Sequence, residues 1–157
     1  MNKPVYNFQT QLKKGKAAEA EFAKHFKLFG ETLQDSGVRD YDFTTTSGKR
    51  VELKSDFYQS GNFFIERFYG NPVADKPGSM WQSANKNVDV FIYWFVNMGE
   101  VYIFTDLKQT TTYLEELIKE MNLTPVHVQN TGFHGIGYKV PKHLLNHLCI
   151  KEDWDAS

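Results

Sequence analysis

Apolar and polar residues alternate along 41–46 and again along 50–54. Tyr41, Phe43, Val51 and Leu53 share one parity, and Asp42, Thr44, Thr46, Arg50, Glu52 and Lys54 share the other. Successive side chains of a strand point to opposite faces, so a period of two predicts two strands with one apolar and one charged face. Ser47, Gly48 and Lys49 lie between them, and a glycine-centred turn closes such a pair into a hairpin. A three-residue loop at 47–49 sets Thr44 opposite Glu52 and Asp42 opposite Lys54. Two carboxylates and an ammonium then converge on one patch.

The rest of the chain alternates helical and extended patterns. Residues 1–12 carry no clear period and read as an irregular arm. Over 14–29, Ala18, Phe22, Phe26 and Phe29 recur at four, four and three residues, which predicts a helix stopped by Gly30. On that helix Glu19 lies about 60° from Phe22, at the border of the apolar stripe, and Glu21 about 100° away on the other side. Residues 62–68 predict a third strand, with Phe64, Glu66 and Phe68 on one face and Phe63, Ile65 and Arg67 on the other. Glu66 is unusual on an apolar face; it either ligates a metal or pairs with Lys54 or Arg67. A loop rich in proline and glycine follows at 71–78, then a short helix at 79–86. Residues 88–96 predict a buried strand, which turns at Asn97, Met98 and Gly99 into another at 101–104. A helix between the third and fourth strands fits a βαβ crossover. Thr112 and Glu115 have capping-box spacing before a helix carrying Leu114, Leu117, Ile118 and Met121. Two short strands on either side of a turn at Thr131-Gly132-Phe133-His134-Gly135, a terminal helix over 141–149 with Leu144, Leu145 and Leu148, and a charged tail complete the pattern. The fold class predicted is α/β, a central mixed sheet flanked by helices.

Composition narrows this picture. A chain of 157 residues, 41% hydrophobic and 15% aromatic, is long enough for one domain with its own core and too apolar for disorder. Residues 12–105 read as the core and 106–157 as a C-terminal elaboration. The single cysteine, Cys149, rules out an internal disulfide framework and a cysteine-based zinc site, and makes a reducing cytoplasm the expected location. The opening residues hold no apolar signal core, and the longest apolar run, 88–96, contains Asp89 and is too short to span a bilayer. A net charge of −1 argues against a general nucleic-acid binder, which carries a basic excess. The distribution is less even than the sum. Lys13, Lys14 and Lys16 cluster early and Lys49, Arg50 and Lys54 surround the charged patch, whereas Glu115, Glu116, Glu120, Glu152, Asp153 and Asp155 lie late. Internal repeats, a phosphate-binding loop, a dinucleotide fingerprint and a nucleophile elbow are all lacking.

Glu-x-Lys alone is too short to carry meaning. Here it follows an aspartate on the same face of the preceding strand, a helix with a border carboxylate upstream, and another strand downstream. In that order the residues resemble the PD-(D/E)XK nuclease superfamily, the restriction-endonuclease-like fold, over about residues 12–105. Tyr41-Asp42 stands where the motif has Pro-Asp, and Glu52-Leu53-Lys54 completes it. Gly15-Lys16-Ala17-Ala18-Glu19 is similar to the start of the first helix in resolvase-type members, and the proportions are similar to small phage-type nucleases and Holliday-junction resolvases. The resemblance implies an αβββαβ core and hydrolysis of phosphodiesters with Mg²⁺ (or Mn²⁺). Asp42 and Glu52 would hold the ion with the Leu53 carbonyl, and Glu19 a second ion or a bound water. Lys54 would orient or deprotonate the attacking water.

Asp40 shares the parity of Asp42 and competes for its role, with Asp42 favoured by its closer partner strand. Lys16, Arg50, Gln82 and Lys86 are the candidate contacts to a nucleic-acid backbone. His143 and His147 have zinc-compatible spacing but no evident third ligand. A chain of this size has no separate specificity domain, so DNA recognised by shape (a junction, flap or nick) is the expected substrate, with a homodimer as one way to present two sites. The implied location is the cytoplasm of a bacterial or phage-infected cell. Two other readings stand beside this one: a nucleic-acid- or protein-binding module that has lost its chemistry, and an unrelated α/β enzyme in which Asp42, Glu52 and Lys54 do not converge.

Overall fold

The computed structural model describes residues 8–130 and 133–155, without the side chains of 8–13 and 130. Helix α1 (Phe8–His25) leads into strands β1 (Leu33–Asp35), β2 (Phe43–Thr45) and β3 (Arg50–Asp56). Then come β4 (Asn62–Gly70), β5 (Lys76–Pro77), α2 (Ser79–Asn85), β6 (Val90–Phe95) and β7 (Glu100–Phe104). The chain closes with α3 (Leu107–Glu120), β8 (Val126–Asn130), β9 (Phe133–Pro141), a 3-10 helix (Lys142–Leu148) and β10 (Cys149–Asp153). Six strands form a mixed sheet in the order β1-β2-β3-β6-β7-β10, and four form a second, antiparallel sheet in the order β5-β4-β9-β8.

The alternating hairpin forms, with its faces as expected and its register shifted. Phe43 pairs with Val51 and Thr44 with Arg50. Thr45 N bonds to Lys49 O and Gly48 N to Thr45 O, both at 2.9 Å, so the loop is 46–48 with Gly48 at φ 90°. Turn geometry sets hairpin register, and a shift by two leaves every side chain on its face. The ladder ends at Phe43↔Val51 with Asp42 N also bonded to Val51 O, so Asp42 lies beside Glu52 and the Asp42–Lys54 and Thr44–Glu52 pairs expected above do not form.

The third strand does not join this sheet. β3 pairs directly with β6, in parallel, from Val51↔Val90 to Asp56↔Phe95. β4 instead pairs with β5 and β9, so the crossover from β3 to β6 contains two strands of the other sheet as well as α2. The reason lies in the side chains. All six residues of β6 are buried, as suits the centre of a covered sheet, while β4 carries Glu66 and Arg67 and does not.

The main sheet is covered on both faces. Under α1, Phe22 and Phe26 pack on Val51, Leu53, Ile92 and Trp94. On the opposite face Phe63, Ile65, Met80 and Leu114 pack with Tyr93 and Phe95. Tyr93 ties the two sheets together: its hydroxyl donates to Asp56 Oδ2 at 2.5 Å and accepts from Phe64 N at 3.1 Å. Asp56 is buried. Tyr93→Phe leaves that carboxylate and the Phe64 N–H each short of a partner, and is expected to lower stability by about 2–3 kcal/mol, read as a fall in the urea midpoint at unchanged slope.

Other boundaries moved for local reasons. α1 begins at Phe8 and ends at His25, so only 1–7 of the expected arm lie outside the described residues. Phe29 leaves the stripe, with φ 50° and 45% of its surface exposed. α3 starts at Leu107, where the Asp106 side chain accepts from Gln109 N at 3.0 Å; Thr112 lies inside the helix and does not cap it. Buried Thr110 and Thr111 bond back to Asp106 O and Leu107 O, which hid the first helical turns behind polar residues, and Met121 at the far end is half exposed. The terminal helix is a 3-10 helix, and the expected charged tail forms β10, paired along β7. No described helix is long and apolar enough to cross a membrane.

Candidate active site

The site is built on the edge of β3 that β2 leaves uncovered. Asp42, just before β2, donates its N–H to Val51 O at 2.9 Å, and its Oδ2 accepts from Leu53 N at 2.8 Å. Asp42 thus continues the ladder with its own side chain. A strand residue directs its N–H and C=O to the same neighbour, so the Leu53 carbonyl faces this edge too. The Leu53 side chain is buried under α1, and Glu52 points to the other face.

Glu52 hydrogen-bonds to Asp42, and its pKa is pushed up to about 9. Burial is the largest cause, followed by that bond, the charge of Asp42 and the charge of Glu19, against the pull of Lys86. Glu19, on α1, rises to about 7 through burial and the Asp42 charge, opposed by Lys16 and Lys54. Three carboxyl groups from a helix, a loop and a strand therefore share one field, with three lysines at its margin. Glu21 stays outside it, lying 3.5 Å from Lys24 and 3.6 Å from His25 on an exposed face.

Beside this cluster opens a cleft of about 180 Å³ lined by Glu52, Lys54, Phe64, Glu66, Ser79 and Tyr93 among others. Burial raises the Glu66 pKa and Lys54 opposes it, so Glu66 faces Lys54 across the cleft. Arg67, the other expected partner, turns away to Glu115 at 2.9 Å, with its guanidinium 4.2 Å from the Phe68 ring and 4.4 Å from that of Trp81. Glu66 is a cleft residue that sequence reasoning left open. Its signal was a carboxylate on an apolar face; the bulge between Glu66 and Phe68 had none.

The remaining candidates divide. Lys86 bonds to Asp40 at 2.9 Å, which removes Asp40 from the carboxylate set and leaves Lys86 within the field of Glu52. Gln82 does not reach outward: its amide donates to Tyr69 Oη at 2.7 Å and Pro77 O at 2.8 Å, fastening β4 to β5. Arg50 is exposed, its guanidinium 5.4 Å from the Tyr41 ring. Lys16 is exposed on α1. His143 is exposed, and His147 sets its ring against Tyr113 at 4.6 Å.

Among the described residues, no group of three His, Cys, Asp or Glu side chains stands close enough to hold a metal ion. The donor chemistry nevertheless suits a hard divalent cation: two carboxyls in contact, a strand carbonyl on the same edge and a third carboxyl in their field, all oxygen. Added positive charge is also what the raised carboxyls lack.

A stability prediction follows. The folded chain keeps protons on Glu52 and Glu19 that the unfolded chain releases above the ordinary glutamate value of 4.5. These two groups therefore favour folding at low pH, and that contribution is lost as pH rises through about 7 and about 9. Without metal, wild type is expected to lose thermal midpoint relative to Glu52→Gln between about pH 6 and about pH 8.5. Mg²⁺ at about 100 times its dissociation constant is expected to raise the wild-type midpoint at the higher pH by about 5–10 °C. Parallel midpoints of the two proteins, with no response to Mg²⁺, would remove the charge cluster as described.

No model of a known protein family matches the chain, and no curated protein matches it.

Proposed function

We propose that this chain is a divalent-metal-dependent phosphodiesterase that cleaves DNA. The observation that carries the reading is the contact between Asp42 and Glu52 on the open edge of β3, with Glu19 and Lys54 in the same field at the mouth of a cleft. The reaction class rests on the resemblance of Asp42, Glu52-Leu53-Lys54 and the upstream Glu19 to PD-(D/E)XK nucleases. A bound Mg²⁺ or Mn²⁺ supplies Lewis-acid charge and lowers the pKa of a water.

The chain's own residues do the rest. Asp42 and Glu52, with the Leu53 carbonyl, hold the ion, and Glu19 orders an outer water or a second ion. Lys54 is exposed at the cleft; its ammonium positions the attacking water and offsets charge on the phosphate. Lys16 and Arg50 flank the site as backbone contacts, and Lys86 joins them when it exchanges Asp40 for a phosphate. The test is nicking of a supercoiled plasmid, present with Mg²⁺ or Mn²⁺ and abolished by EDTA. A panel of duplex, flap and four-way-junction DNA then ranks the substrates. The second reading, a binding module without chemistry, is favoured by the net charge of −1. Tight binding without metal-dependent turnover selects it.

A further inference from the structure

The second sheet has two unlike faces. Phe63, Ile65 and Val140 are buried in the core, and Tyr138 packs with them. The other face is open. Residues paired across a ladder share a face, which groups Phe64 with Lys139, Glu66 with Gly137, and, past the bulge, Tyr69 with Gly135 and Lys76.

The glycines shape this face. A Cβ on Gly137 would come within 2.4 Å of the Phe64 ring, and one on Gly135 within 3.1 Å of the Phe133 ring. Both rings therefore lie down over a bare backbone floor, in space any side chain would fill. Phe133 also stacks on Tyr69, centroids 6.4 Å apart and planes 18° from parallel. Gln82 anchors the Tyr69 hydroxyl, and Lys76 Nζ lies 6.0 Å from the Tyr69 ring. All three rings remain partly exposed, and Lys76 and Lys139 are exposed beside them. The face is continuous with the cleft, because Phe64 and Glu66 line both.

Flat rings with cations at their margin suit a ligand that offers planar π-faces on an anionic backbone. Unpaired nucleotides do so; paired DNA keeps its base faces stacked inside the duplex. We propose that the open face of the second sheet is a stacking platform for unpaired nucleobases, on a strand whose backbone runs on into the Glu52–Lys54 cleft. The continuation into the cleft rests on the phosphodiesterase reading; the platform itself needs no cleavage.

The experiment is therefore binding in EDTA, with single-stranded DNA, single-stranded RNA of the same sequence and a blunt DNA duplex, each carrying a 2-aminopurine reporter. Wild type is expected to quench the reporter in single strands and to bind them more tightly than the duplex, with the tighter of the DNA and RNA arms naming the sugar. Phe64→Leu and Phe133→Leu are each expected to lose about 5- to 100-fold in single-strand affinity with the duplex unchanged. Lys139→Gln is expected to reduce the salt dependence. Phe133 is partly exposed at the start of β9, so its variant gives the answer if Phe64→Leu folds poorly. Ring variants that bind single strands like wild type, a duplex bound as tightly as single strands, or no binding at all would each overturn the platform. Glu52→Gln, assayed again with Mg²⁺ in place of EDTA, separates the two readings, since it keeps the rings: it is expected to quench the reporter as wild type does and not to cut. Cutting by Glu52→Gln at the wild-type rate would strip Glu52 of its role, and a wild type that binds single strands but cuts no DNA with Mg²⁺ would overturn the phosphodiesterase reading; both leave the platform standing.

Discussion

Glu52→Gln and Lys54→Ala are each expected to lower the proposed metal-dependent cleavage by about 10³-fold or more, the scale seen when one group that meets developing charge is removed from a preorganised site. Glu52→Gln preserves shape and takes away the charge, on a side chain that burial and Asp42 already drive toward its neutral form. The folded protein is therefore expected to keep its thermal midpoint or gain. Lys54 is exposed, and truncating it leaves no cavity. The double variant is expected to fall little below either single one if, as proposed, the two groups act on the same ion and water. Single-turnover nicking beside thermal melts separates lost chemistry from lost structure. A cleavage rate within about tenfold of wild type in either variant would strip that residue of its role.

Gly78→Ala is expected to cost about 3 kcal/mol or more, the upper end for overpacking at a site that cannot relax. Gly78 has an ordinary φ of −65°, so the demand is for space. A Cβ there would sit 1.7 Å from Glu66 O and 2.5 Å from Glu66 C. Backbone cannot swing aside as the end of a side chain does. Gly78 N also donates to Arg67 O at 2.8 Å, so the start of α2 and the bulge of β4 are pressed together there. Prising them apart moves Glu66, and cleavage is expected to fall along with the urea midpoint. A variant with the wild-type midpoint would show that α2 and β4 are less tightly joined than this contact implies.

How much of this was legible in the sequence differs from element to element. The hairpin faces were readable because period-two alternation is local and survives a two-residue slip. The same tolerance hid the slip: Ser47-Gly48-Lys49 and Thr46-Ser47-Gly48 are equally good turns by composition, and only the second closes. The grouping of Asp42, Glu52 and Glu19 was legible for a related reason. Each stands where its own element puts it, on a polar face or at a stripe border, whatever the exact pairing. β6 announced itself by being apolar on both faces, which leaves only a central position.

The misreadings share a cause. β4 looks like any strand, and its partner lies about seventy residues later in β9, whose glycines read as turn signals. Their role as a floor for Phe64 and Phe133 exists only when the two strands meet. β10 is an edge strand of mixed charge, held by backbone bonds that leave little trace in side-chain type. Gln82 had a surface-exposed pattern and an interior job, because Tyr69 and Pro77 were folded against it.

What the sequence determined by itself was a mixed α/β fold, a buried central strand and a charged hairpin face with Asp42, Glu52 and Lys54 on one side. These follow from periodicity and side-chain chemistry, which act over a few residues. The tertiary structure alone decided that Asp42 meets Glu52, that Lys54 faces Glu66, and that a second sheet walls the cleft. Those outcomes depend on which distant strands pair and where backbones approach within a methyl group of one another, and no local pattern encodes either.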